Sequence, residues 1–209
     1  MIEQRTEAWF KERLGKVTAS RIADVMAKTK TGYGAGRANY MAELIAERLT
    51  GETADRYQNA AMQWGTDTEP KARAAYSFVT GESVVETGFV PHPVIELSGA
   101  SPDGLVGDNG LVEIKCPNTA THIDTLLGAG IDRKYLLQMQ WQMACTGRQW
   151  CDFVSYDPRL GTEMSLHIQR FNFDEKLVRE IETEVQAFLA ELSDKVIRLR
   201  AAYDVKEAA

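Results

Sequence analysis

Several features are missing from this chain, and each absence narrows its class. No run of about 18 apolar residues occurs, so no membrane-spanning helix is expected. The opening stretch MIEQRTEAWF is charged and lacks the apolar segment of a secretory leader. There are only three cysteines, Cys116, Cys145 and Cys151, and they form no CxxC pair. Neither a disulfide framework nor a zinc site is expected, and a reducing, intracellular setting is the default. The three histidines, His92, His122 and His167, form no HxxxH pair, so none is expected to ligate a metal. The glycine-rich stretch TKTGYGAGRA is no P-loop, because GxxxxGK[ST] is absent, and its glycines are expected to form a mobile loop. Internal repeats and low-complexity linkers are also absent.

What is present is 209 residues with 44% hydrophobic content, enough for one substantial core and a single domain over 1–209. The net charge of -6 argues against a protein that coats nucleic acid by charge alone. The charge is uneven, however. Residues 1–40 carry eight Lys/Arg and four acids, a local +4 against -10 for the remainder. Such a basic patch can attract a polyanion despite the negative total.

Periodicity divides the chain into three parts. Residues 1–80 read as mainly helical, with helices over 6–14, 18–28 (capped by Thr18 or Ser20), 38–50 and 57–79. Gly65 and Pro70 weaken the last of these and are expected to split it. From residue 82 the period changes to two. SVVETGFV, IELSGAS, DGLVG and LVEIKC read as strands, and Asp108-Asn109-Gly110 as a hairpin signal. Residues 133–146 return to helix, 150–157 and 164–173 read as strands, and 174–203 as a long amphipathic helix within the C-terminal segment 174–209. The order implies an α/β (α+β) fold with a central mixed sheet flanked by helices.

The stretch LVEIKCP, residues 111–117, carries the chemistry. Leu111, Glu113 and Lys115 share one face of a strand, and Val112 and Ile114 the other. A solvated face is the simplest explanation of that alternation for an isolated strand. Yet Asp103 precedes the hairpin whose second strand holds Glu113, so the two carboxylates can converge. Paired carboxylates repel unless something neutralises them, and a hard divalent cation does so through oxygen ligands. Lys115 on the same face can then orient or help deprotonate a water. The group suits phosphodiester hydrolysis better than it suits folding.

Pro102-Asp103 followed by Glu113-Ile114-Lys115 resembles the PD-(D/E)xK nuclease superfamily, and with it the restriction-endonuclease-like fold. RLGKVTAS, MQWGTDTE, GASPDGLV, EIKCP, YLLQMQWQM and YDPR occur in one order and resemble the phage lambda exonuclease (YqaJ-like viral recombinase) family. The resemblance implies a 5′-to-3′ exonuclease. It would digest one strand of linear duplex DNA from a 5′-phosphorylated end and leave a 3′ overhang for single-strand-annealing recombination. It implies Mg²⁺, with Mn²⁺ able to substitute and two ions per site. Asp103, Glu113, Glu69 and the Ile114 carbonyl would bind metal, Lys115 would act on the attacking water, and Gln138 would support the site. Arg13 and Ser20 would hold the terminal 5′-phosphate, assisted by Lys30, and Met62 would wedge between bases. The implied assembly is a homotrimeric ring around double-stranded DNA with a single-strand annealing protein as partner. Its setting would be the cytoplasm of a bacterial host, the chain being phage- or prophage-encoded. The alternatives are another nuclease of the superfamily, an endonuclease or single-strand exonuclease, and a non-catalytic DNA-end-binding module.

Overall fold

Glu113 and Lys115 lie on a strand that is covered on both faces, and this arrangement organises the molecule. A computed structural model describes residues 2–30, 32–53 and 59–203. In chain order the elements begin with α1 (Glu7–Arg13), β1 (Val17–Thr18), a 3₁₀ turn (Ala19–Arg21) and α2 (Ile22–Val25). They continue with β2 (Lys28–Thr29), β3 (Gly32–Tyr33), α3 (Ala35–Thr50) and α4 (Ala60–Thr80). The strand region holds β4 (Val84–Val85), β5 (Val90–Pro91), β6 (Ser98–Ala100), β7 (Gly104–Val106) and β8 (Gly110–Lys115). Then follow α5 (Thr119–Leu126), α6 (Arg133–Thr146), β9 (Trp150–Tyr156), β10 (Leu166–Asn172) and α7 (Glu175–Tyr203).

The main sheet has the order β10-β9-β8-β7-β4, and β8 lies at its centre. It is mixed: β8 runs parallel to β9 and antiparallel to β7. One face of β8 packs on α4, where Val112 and Ile114 join Ala72, Tyr76, Val106 and Val154 in a buried cluster. The other face packs on α6, where Leu111 meets Met139, Met143, Cys151 and Phe153. The strand alternation therefore does not mark a solvated face. α6 is buried on its far side too, where Leu137, Trp141 and Cys145 meet residues of α2, α3 and α7. The α7 stripe of Ile181, Val185, Phe188, Leu192 and Val196 fills this larger core.

Tertiary packing overrules local reading in several places. α4 is one helix of 21 residues through Gly65 and Pro70. An interior proline costs roughly 3 kcal/mol, which burial of Thr68, Ala72 and Tyr76 along the same helix offsets. The helix expected over 18–28 is replaced by β1, the 3₁₀ turn and a four-residue α2. Val17 and Thr18 pair in parallel with Ser98 and Gly99, and the Thr18 N–H donates to the Tyr40 hydroxyl, so these residues are taken by a strand. Thr18 makes no side-chain cap, and Ser20 lies inside the 3₁₀ turn instead of ahead of a helix.

The glycine-rich stretch also takes up regular structure. β2 and β3 form a hairpin, and α3 begins at Ala35, three residues before the expected start. SVVETGFV divides into β4 and β5, which belong to different sheets. The helix α5, capped by Asn118, has no counterpart in the sequence reading. The helix 133–146 and the α7 helix stand where periodicity places them.

Candidate active site

The β7–β8 hairpin fixes the acid pair. Gly104 is registered with Val112, so Asp103, one residue earlier, comes alongside Glu113. Beyond the last paired residue the Ile114 N–H has outrun β7. It donates instead to Asp103 Oδ2 at 2.7 Å, so the carboxylate ends the ladder that the strand no longer supplies. Glu113 is wholly buried. Its Oε1 accepts from Gln138 Nε2 at 2.7 Å and its Oε2 from Gln142 Nε2 at 2.6 Å. Lys115 Nζ forms an ion pair with Glu113 Oε1 and stands 5.1 Å from the centre of the Tyr135 ring. Gln138 and Gln142 are four residues apart on α6, so a single helix face presents both amides to one carboxylate.

The electrostatics follow from this crowding. Burial and the charge of Glu113 push the Asp103 carboxyl well above the usual carboxylate range, against the pull of Lys115. Glu69 adds to the same repulsion. Burial works against the Lys115 ammonium, but Glu113 and Asp103 outweigh it and keep the amine protonated. The neighbouring Cys116 thiol is pushed up to about 12, first by burial and then by Glu69 and Asp103. This makes it an inert thiol beside the acids.

A metal ion was expected here, and the donor set fits one. Among the described residues no three His, Cys, Asp or Glu side chains form a ready-made cage. Mg²⁺ needs no such cage, since one or two carboxylates, waters and substrate phosphate complete its shell. Asp103 and Glu113 supply two buried carboxylates whose mutual repulsion a cation would relieve. Glu69 stands close by on α4 but is engaged by two arginines: Arg5 Nη2 is 2.5 Å from its Oε2 and Arg73 Nη2 is 2.8 Å from its Oε1.

A cavity of about 400 Å³ is lined by Arg13, Ser20 and Met62 together with Trp9, Lys16, Arg21 and the acids Glu43 and Glu47. Arg13 is held in place from two sides. Its guanidinium lies 4.1 Å from the Trp9 ring centre, and its Nη1 donates to Ser101 Oγ at 3.1 Å. Trp9 Nε1 donates to the same hydroxyl at 3.0 Å. Ser101 stands two residues before Asp103, so Arg13 and Trp9 of the cavity wall are tied to the segment that carries the acid pair. Ser20 is exposed on the 3₁₀ turn, and Met62 is 55% exposed at the start of α4. Lys30 lies in the exposed β2–β3 turn and does not line this cavity.

Gln142, Ser101 and Arg5 join the site without having been anticipated. Gln142 had a readable signal, since it follows Gln138 at helical spacing. Ser101 had only its place before Pro102-Asp103, and Arg5 had none.

The fold and site define a mixed α/β protein with a buried acid–lysine cluster at the end of its central strand. The chain belongs to the YqaJ-like viral recombinase domain family, whose model it matches over residues 8–149. It is 58% identical to the alkaline exonuclease LHK-Exo from Laribacter hongkongensis, with a TM-score of 0.89 over 96% of this chain and 100% of that one. A crystal structure of LHK-Exo in complex with dAMP gives the same identity and TM-score over 95% and 98% of the two chains. A phage related exonuclease from Haemophilus somnus shares the fold at 16% identity, with a TM-score of 0.69 over 88% and 96% of the chains. No curated protein matches the chain.

Proposed function

We propose that the protein is a Mg²⁺-dependent 5′-to-3′ exonuclease that degrades one strand of linear duplex DNA from a 5′-phosphorylated end. Family membership and the identity to an alkaline exonuclease support the nuclease class. The observation that carries the finer reading is the buried Glu113–Lys115 pair, met by Asp103 across the hairpin and held by two α6 amides. A fully buried acid with a partly exposed lysine beside it is costly to keep for folding alone.

Each residue then has a task. Asp103, Glu113 and the Ile114 carbonyl would hold Mg²⁺, with Glu69 completing the shell and a second ion shared with the substrate. When bound, the metal supplies a lowered water pKa and charge to stabilise the pentavalent phosphate. Lys115 holds the attacking water toward the phosphorus through its ammonium. Gln138 and Gln142 each donate to one oxygen of Glu113 and so fix the carboxylate beside Lys115. Arg13 offers paired N–H donors to the terminal 5′-phosphate, and Ser20 adds a hydroxyl. Met62, half-exposed at the cavity, would lie against the first base pair as a wedge, and Lys30 would touch the backbone farther out. That LHK-Exo was solved with dAMP, a mononucleotide, accords with stepwise release of such products.

The whole chain acts as one nuclease domain in a homotrimeric ring, which a closed head-to-tail interface produces. The 3′ overhang is passed to a single-strand annealing protein in a bacterial cytoplasm. No helix among the described residues is long and apolar enough to cross a membrane. The ring is tested by solution mass: three times the 23.3 kDa chain is expected, and a monomer that digests processively contradicts it. The activity is tested with duplexes blocked or circularised at their ends. These should resist digestion if the enzyme works from ends, and cutting of closed circles would reveal an endonuclease.

A further inference from the structure

The two arginines on Glu69 are not equivalent. Arg73 is one helical turn away on α4, has a 16% exposed side chain, and also pairs with Glu86 at 2.5 Å. It is a fixture of the helix surface. Arg5 comes from the segment ahead of α1, and its side chain is 47% exposed. Its backbone has φ +69°, a left-handed conformation that few non-glycine residues adopt. The preceding Gln4 pins that segment: its side-chain amide donates to the carbonyls of Thr87 and Pro102, both at 2.8 Å. Pro102 directly precedes Asp103. A strained residue is thus anchored beside the acid pair, and its half-exposed guanidinium is aimed at the third carboxylate. Strain of this kind is retained where a group handles a ligand.

Charge indicates which ligand. Arg5 and an entering metal ion compete for Glu69, whereas Arg5 and a DNA phosphate attract each other. A guanidinium offers a planar fork of donors that matches two phosphate oxygens. Resting on the nuclease reading above, we propose that Arg5 is a substrate-handling residue that pairs with Glu69 in the absence of DNA. It moves to a phosphate of the seated strand, and Glu69 Oε2 is thereby released toward the metal while Arg73 keeps Oε1. Metal and DNA binding are then coupled, and the coupling is reciprocal.

The test is calorimetric titration of Ca²⁺, with and without a short 5′-phosphorylated duplex, on wild type, Arg5→Ala and Arg5→Gln. Without DNA, both variants should bind Ca²⁺ several-fold more tightly than wild type, because a competing cation has gone. The tightening that DNA causes, about fivefold or more in wild type, should shrink in both. With saturating Mg²⁺, kcat on the phosphorylated duplex should fall about tenfold, a typical loss for one charged phosphate contact. Wild-type Ca²⁺ affinity and wild-type coupling in both variants, with only a lowered melting temperature, would make Arg5 a mere strap and overturn the proposal. Glu113→Gln run alongside separates the two levels of inference. If it still binds metal and cleaves, the site itself is misassigned. If it is inactive while the Arg5 variants match wild type, only the Arg5 proposal fails.

Discussion

The two faces of β8 share a backbone but differ in what the strand's own side chains do. Toward α4, Val112 and Ile114 enter a cluster of aliphatic and aromatic side chains, at whose edge the Tyr76 hydroxyl donates to the buried Asp152. Toward α6, Glu113 is as deeply buried as Val112, yet it is held by two amides and an ammonium. The first face contributes stability through area removed from water. The second spends stability on a charge cluster, since buried ion pairs seldom recover their desolvation. The fold tolerates the second face because the first, and the larger core around α7, supply the stability.

Mutations on the two faces should therefore have opposite signatures. The largest effect is expected from Glu113→Gln or Asp103→Asn. Cleavage should fall at least about a hundredfold while the cooperative melt persists, because a charged ligand is lost but the packing is not. Gel digestion with circular dichroism checks both halves, and a variant cutting at near wild-type rate would erase the distinction between the faces. Val112→Ala should do the reverse, costing about 2 kcal/mol of stability from the cavity it leaves, with kcat nearly unchanged. Denaturant melts and steady-state kinetics measure this pair of quantities.

A smaller effect is expected at the cavity lined by Arg13, the proposed seat of the 5′-phosphate. Arg13→Ala should slow digestion about tenfold on 5′-phosphorylated ends and less on 5′-hydroxyl ends, since a terminal phosphate carries the extra charge that Arg13 meets. An unchanged preference would make Arg13 a partner of Trp9 and Ser101 only. The smallest effect concerns pH. Burial raises the Asp157 carboxyl, but bonds from Arg159 outweigh it and hold the group at about 2. A depressed carboxyl stabilises the fold above its unfolded value near 3.8 and loses that contribution as pH falls through about 2. Asp157→Asn should accordingly cost on the order of 1 kcal/mol at pH 7, and the deficit should vanish between pH 4 and 2 in pH-dependent melts.

The same contrast explains what the sequence made legible. The acid pair could be read because a hairpin links Asp103 to Glu113 over a few residues, and local turn chemistry carries that information. Helix 133–146 and α7 could be read because one apolar stripe dominates each. The short strand β1 could not, because its partner is remote, Val17 pairing with Ser98, and the division of SVVETGFV into β4 and β5 could not, because it depends on which sheet each half joins. The unbroken α4 was hidden for the same reason, since its support lies in sheet residues far along the chain. Gln142 was within reach by helical spacing. Arg5 was not, because only the fold brings the start of the chain to Glu69.

The central claim is that the charged face of β8 hydrolyses DNA from a 5′ end with a metal ion. The most direct measurement is digestion of a linear duplex labelled at either terminus of each strand, with and without Mg²⁺. The 5′ label should be released first as mononucleotide, only from phosphorylated ends at full rate and only with Mg²⁺ present. Release of 3′ label first, or cutting that persists after the metal is chelated, would contradict it.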